Sequence, residues 1–405
     1  MSWLNEHIED CFIEEDCLSW IVVMRRNNNI PTAHLTVDVQ AISIPNDGII
    51  TEKASKSPKR IIQKGNIDTS IESCLNVQFD TDAAKNYLTN HGWPLGLINA
   101  FIRSCKKIPI RYFICDDSGS MLTNDGHRCV KIQNDNKIVK CSRWSELVSS
   151  LTFHSNLAEI SNSPTEFRLL NMADPVLIGS GQDRGKSLDA FLDILSESPG
   201  GQTPICAQIR DVIERISSIQ HLLRQSGQKA CVIIATDGES TDGDLASAMR
   251  PLESLPVWVV VRLCTDEEKV VQYWNEIDGE LELEMDVLDD LAGEADEVFT
   301  NNPWLTYTES FHRFREYGAT IKEMDLLDES QLSSDQMRAV TALVLSTTQE
   351  IPHPDEDWSG FLSFLNSHNQ DVWCPKTKKH KKYIDMKRLQ QIYGEGKSSQ
   401  TCSLS

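Results

Sequence analysis

The sequence predicts an α/β fold: a doubly wound, mostly parallel sheet flanked by helices, with a small N-terminal α+β segment before it and a helical C-terminal region after it. Three observations lead there. The runs "YFIC", "CVIIA" and "VWVVV" are apolar at every position, as strands are when helices cover both faces of a sheet. The stretches between them repeat apolar residues at helical spacing, as in "CAQIRDVIERISSIQHLLRQ". At 405 residues, 40% hydrophobic and 24% charged, the chain has an ordinary globular composition and room for one large domain with flanking modules.

Residues 1–45 read as a small α+β module. "WLNEHIEDCF" has helical spacing, and "TAHLTVDVQA" alternates with period two, putting Leu35, Val37 and Val39 on one side. Residues 46–75 contain "NDGIITEKASKSPKRIIQKGN", which is polar and aperiodic, and read as a flexible linker. Residues 76–108 hold two short helices broken at "HGWP". The α/β domain spans 109–302. Its strands are "IRYFICD", "TEFRLLN", "PVLIGS", "KACVIIATD" and "PVWVVVRLC", and "MLTNDGHRCVKIQNDNKIVKCS" is an inserted hairpin before the first long helix. Helical patterns fill 303–395, with Ser caps opening "SSDQMRAVTALVLSTT", and 396–405 read as a disordered tail.

The net charge of −21 is unevenly spread. Asp237 to Glu297 contain nineteen acidic residues against Arg250, Arg262 and Lys269, which argues against nucleic acid or an anionic membrane as partner. The basic stretch 376–388 is the exception: it reads as a solvated face, with a nuclear-import patch as the alternative. Twelve cysteines without a CxxC pair suit reduced thiols in the cytoplasm, not a zinc site or a disulfide framework. Cys129 and Cys141, placed symmetrically about "QNDNK", are expected to face each other across the hairpin. No apolar run approaches the ~20 residues that cross a bilayer, and the acidic N-terminus has no secretion-signal layout.

One strand end demands chemistry. In "RYFICDDSGSM" a buried strand runs into Asp116, Ser118 and Ser120, a D-x-S-x-S pattern that by itself is also what a strand-to-loop cap looks like. Two distant features bear on it. "GGQTP" puts Thr203 in a tight loop before a helix, and "IIATDG" puts Asp237 at the end of a later strand. In a doubly wound sheet, ligand sites lie outside the carboxyl ends of the strands.

This set resembles the metal-ion-dependent adhesion site of a von Willebrand factor type A domain, over residues 109 to 300, with Asp116, Ser118, Ser120, Thr203 and Asp237 in family order. The resemblance implies a Rossmann-like sheet that holds Mg²⁺ (or Mn²⁺ or Ca²⁺) on these five residues and offers an open position to a partner protein's Asp or Glu carboxylate. A hard cation with neutral hydroxyl ligands and two carboxylates is chemically coherent. Two departures from the family pattern are the extra Gln202 in the threonine loop and the inserted hairpin. The implied function is an intracellular adaptor or assembly factor without catalytic residues and without nucleic-acid or membrane binding; the oligomeric state stays open.

Three enzymatic readings compete. A haloacid-dehalogenase-type D-x-D fails because Ser118 replaces the second acid, and a G-x-S-x-G elbow fails because Asp116 stands at the first glycine. A nucleotide-binding loop at 179–187, "GSGQDRGKS", has Gly185, Lys186 and Ser187 but carries Ser180 where the leading glycine belongs. A scaffold with an unused metal site is the remaining alternative.

Overall fold

A computed structural model describes residues 67–394, apart from 133–134, 173, 182–184, 266, 320 and 346–348. The expected N-terminal module at 1–45, most of the linker and the tail at 396–405 lie outside the described residues. Everything described belongs to one compact unit that begins at Lys64.

Three helices open it: α1 (Ile67–Cys74), α2 (Thr81–Asn90) and α3 (Leu95–Lys107). The last residues expected as linker thus form α1, whose Ile71 and Cys74 pack under the sheet at helical spacing. Then follow β1 (Arg111–Cys115), β2 (Gly126–Ile132), β3 (Asp135–Cys141), α4 (Arg143–Ser161), β4 (Thr165–Leu169), β5 (Val176–Ile178), α5 (Lys186–Leu195) and α6 (Ile205–Gln225). The unit continues with β6 (Ala230–Thr236), α7 (Leu245–Met249), β7 (Val257–Leu263), α8 (Glu268–Glu280), β8 (Met285–Leu288) and α9 (Leu291–Asn301). It closes with α10 (Glu309–Glu316), α11 (Lys322–Asp325), α12 (Ser334–Val344), α13 (Trp358–His368), β9 (Asp371–Cys374), β10 (Lys379–Lys382) and α14 (Met386–Tyr393).

The main sheet has six strands in the order β5-β4-β1-β6-β7-β8, parallel except for β5 at one edge. From β1 the chain passes to β4 on one side and later to β6 on the other, so the winding reverses beside β1. That is where a crevice opens at the carboxyl ends of the strands. Side chains alternate across the sheet as the pleat requires. Phe113, Cys115, Ile233 and Val260 face one core with Leu151, Phe311 and Tyr317; Tyr112, Ile114, Val232 and Val259 face the other with Ile209, Ile216 and Trp274.

The structure adds a strand to the expected five. β8 lies in "LELEMDVL", with Asp286 and Leu288 buried on one face and Met285 and Val287 half-buried on the other. The helical C-terminal region also contains a hairpin, β9–β10, built from part of the basic stretch. The region shares the first core rather than standing apart: Trp304, Phe314, Phe361 and Leu389 join it. At Gly318, φ is +71° and an added Cβ would collide with the Cys231 sulfur, so only glycine lets the end of α10 close onto β6.

The inserted hairpin forms as β2–β3, but its register corrects the cysteine expectation. Cys129 lies opposite Ile138 and Cys141 opposite Gly126, because the turn is centred between Ile132 and Asp135. Neither thiol is in a disulfide, and no disulfide forms among the described cysteines. No helix among the described residues is long and apolar enough to cross a membrane.

Candidate metal centre

β1 and β6 are neighbours in register, Cys115 beside Ala235, and the amide of Asp116 donates to the Ala235 carbonyl at 2.8 Å. Parallel pairing therefore delivers Asp116 and Asp237 to the same end of the sheet. The chain then turns sharply. The Ser118 amide donates to Asp116 Oδ1 at 2.9 Å, and the Thr236 hydroxyl donates to Asp116 Oδ2 at 2.8 Å. A 3₁₀ turn over Gly119–Leu122 then presents Ser120. Its hydroxyl lies 2.9 Å from that of Ser118 and donates to Asp237 Oδ1 at 2.8 Å.

Thr203 arrives through its loop. Gly201 has φ +110° and its carbonyl accepts from the Gly119 amide at 3.3 Å, which lays the "GGQTP" loop against the D-x-S-x-S turn. Thr203 and Thr241 are tied in both directions, the Thr203 amide to the Thr241 hydroxyl at 3.1 Å and the Thr241 amide to the Thr203 carbonyl at 2.9 Å. This joins the threonine loop to the loop that follows Asp237. Asp242 completes the tie by accepting from the first free amides of α6, Cys206 at 3.0 Å and Ala207 at 2.8 Å.

All five residues are thus on adjoining loops at one strand-end crevice. Ser118, Ser120 and Asp237 are linked by direct side-chain bonds, Asp116 through the Ser118 amide, and Thr203 through its loop. Asp116, Ser118, Thr203 and Asp237 are buried, and Ser120 is exposed. Every candidate donor is a hydroxyl or carboxylate oxygen, the donor type that a hard divalent cation takes. Sulfur is kept away: Cys115 points into the core, where burial holds its thiol well above the ordinary range.

Asp117, outside the set, has its own task. Its Oδ1 accepts from the amide and the side-chain nitrogen of Asn171, each at 2.9 Å, and its Oδ2 from the Met172 amide at 2.8 Å. Its carbonyl accepts from Gly200 at 2.7 Å. One residue so holds the loops after β4 and before Thr203. Burial pushes the Asp116 and Asp117 carboxyls above the usual range, against hydrogen bonds from Ser118 and Thr236 to the first and from Asn171 and Met172 to the second.

The sequence reading missed Arg143. It is buried at the start of α4, and its guanidinium donates to Asp237 Oδ2 at 3.0 Å, to both oxygens of Asp125 at 2.8 and 2.5 Å, and to Glu267 at 2.6 Å. Its hydrogen bonds hold the Asp125 carboxyl below the usual range. One signal was available: a cation in the first turn of a helix opposes the helix dipole and needs carboxylates to hold it.

The loop at 179–187 includes 182–184, which lie outside the described residues. Its strand, β5, is the antiparallel edge, and the Gly185 amide at the start of α5 already donates to the Glu159 carboxylate at 2.8 Å. A carboxylate sits where a phosphate would have to come.

No family model matches the chain, and no curated protein matches it. Among solved structures it is similar to BatB, a conserved hypothetical protein from Bacteroides thetaiotaomicron, at 15% identity and a TM-score of 0.28, over 44% of this chain and 90% of that one. It is also similar to an aerotolerance-related membrane protein from Bacteroides fragilis with multiple mutations to serine, at 16% identity and a TM-score of 0.29, over 45% of this chain and 92% of that one. Likeness at this level carries no functional assignment.

Proposed function

We propose that this chain is a von Willebrand factor type A-like binding protein that holds a divalent cation on Asp116, Ser118, Ser120, Thr203 and Asp237 and uses it to capture a partner protein's carboxylate. The observation that supports this reading is the linkage of Asp116, Ser118, Ser120 and Asp237 at the strand ends beside β1, with the Thr203 loop tied next to them through its backbone. Mg²⁺ is the ion of choice, with Mn²⁺ or Ca²⁺ as substitutes. The cation, when bound, supplies an electrophilic position for a partner's Asp or Glu. The chain's own part is to orient Ser120 against Asp237, to keep Asp116 aligned through Thr236, and to hold the three loops together through Asp117. No side chain at the crevice is placed to act as nucleophile and base together, so binding is the activity proposed. The described cysteines, most of them buried and none in a disulfide, support a reducing compartment and hence an intracellular, cytoplasmic adaptor or assembly factor.

The test is metal binding followed by calorimetry and thermal melting. Wild type should bind Mg²⁺ or Mn²⁺ and melt higher with it. Ser118→Ala should lose most of that affinity while melting near wild type without metal. Equal melting temperatures with Mg²⁺ and with chelator would leave only a scaffold with an unused site.

A further inference from the structure

We propose that Arg143 is a resident cation that competes with the divalent metal for Asp237 and so sets the metal affinity of the site. This rests on the metal-binding reading above.

Both oxygens of Asp237 are already committed, Oδ1 to the Ser120 hydroxyl at 2.8 Å and Oδ2 to Arg143 at 3.0 Å. The pair is withdrawn from water, with the arginine side chain 4% and the aspartate side chain 1% exposed. A metal that recruits Asp237 must approach a guanidinium fixed on the far oxygen of the same carboxylate. Like charges at that range oppose each other strongly where water is excluded. The guanidinium therefore does two opposing things: it holds the Asp237 carboxylate in place when no metal is present, and it resists the metal when one arrives.

The arrangement also contains a release. Arg143 is held bidentately by Asp125, at the foot of the β2–β3 hairpin, and by Glu267, the residue that precedes α8. These two carboxylates are 34% and 58% exposed, so they are the exchangeable end of the cluster. When a metal takes Asp237, the guanidinium keeps its charge partners by remaining with Asp125 and Glu267. The inserted hairpin and the start of α8 are thereby coupled to metal occupancy. This gives the insertion a role at the site although it supplies no ligand.

The experiment is titration of the full chain with Mg²⁺ and Mn²⁺, comparing wild type, Arg143→Gln, Arg143→Lys and Ser118→Ala, with melting temperatures at each metal concentration. Arg143→Gln should bind metal roughly tenfold or more tightly, the scale on which a charge within ~4–6 Å alters an ionic equilibrium. It should melt below wild type without metal and gain more from metal than wild type does. Arg143→Lys, a compact ammonium that cannot span three carboxylates, should fall between the two; if the glutamine variant fails to fold, the lysine variant alone decides, and equal or weaker binding by it overturns the proposal. Asp125→Asn should weaken metal binding in wild type but not in the Arg143→Gln background; equal weakening in both would mean simple loss of negative charge and would also overturn it. Equal or weaker binding by folded Arg143→Gln, with Ser118→Ala still abolishing binding, overturns the competition and leaves the metal reading standing. Metal binding by Arg143→Gln but not by wild type supports the competition and removes the metal-loaded wild type. No binding by either ends both.

Discussion

Two buried arginines each gather three carboxylates, and they behave as different devices. Arg143 stands at the strand-end crevice with Asp125, Asp237 and Glu267. Arg315, on α10, pairs with Asp286 of β8 at 2.9 Å, Glu294 of α9 at 2.5 Å and Asp328 at 2.7 Å. All of Arg315's partners are 10% exposed or less, whereas two of Arg143's reach solvent. A charge cluster closed on every side has nowhere to send a partner, so it can only lock elements together. A cluster open at one side can exchange. Arg315 joins the last strand of the sheet to the helical region behind it, and it supplies the cation that its buried carboxylates need.

The comparison is broken most directly by Arg315→Met. Removing the cation leaves three buried carboxylates uncompensated, and urea unfolding should show a loss of about 3–5 kcal/mol, unaffected by Mg²⁺. A loss below about 1 kcal/mol would mean that the cluster is no lock.

Acidification should next set the Arg143 cluster against a third buried site, at His154. His154 is fully buried beside Glu316, and burial pushes its imidazole down to about 4, against the raising effect of Glu316. Between pH 6.5 and 4 the unfolded chain takes up this proton and the folded chain does not. The stability from the buried neutral ring is therefore complete above about pH 6.5 and lost as pH falls toward 4, on the order of 3 kcal/mol in all. Melting temperature should drop over that window, and His154→Gln should flatten this part of the profile. Asp125, held below the usual carboxylate range by Arg143, keeps its charge over the same window, so the Arg143–Asp125 pair should outlast the change around His154. The smallest effect belongs to Glu267→Gln, which removes an exposed partner and should cost less than about 1 kcal/mol by denaturant titration.

Between the two ends of the sheet runs a further buried network. Glu146 of α4 accepts from the His127 amide at 2.7 Å and from Arg262, and Arg262 also reaches Glu316 at 3.3 Å. Glu316 in turn accepts from Arg313 at 2.8 Å and the Ser150 hydroxyl at 3.0 Å. Charge partners are so shared between α4, β7 and α10 that the hairpin, the site helix and the C-terminal region form one body of buried charge.

Much of this was legible in the residues. Apolar runs located β1, β6 and β7, helical spacing located α4 and α6, and a Ser cap opened α12, which the structure places at Ser333 with Gln336 closing a capping box. Asp116 and Asp237 could be placed at strand ends because each follows a run that only a buried strand explains. β8 escaped because its alternating acids look like any solvated charged stretch, and only the tertiary structure buries Asp286 against Arg315. α1 escaped because its short pattern, Ile67, Ile71 and Cys74, follows directly on a polar, aperiodic stretch.

The amino-acid sequence by itself determined which segments become strands and helices, and that acids and hydroxyls follow β1 and β6. Periodicity and burial act between residues a few positions apart, and so they are written locally. Only the tertiary structure decided that Asp117 holds loops, that Cys129 faces Ile138, and that Arg143 sits on Asp237. The last pair is 94 residues apart, and Arg143 and Glu267 are 124 apart. The choice of ion partner depends on which strand ends the sheet brings together, and that is settled by β1 pairing with β6, not by any neighbour in the chain.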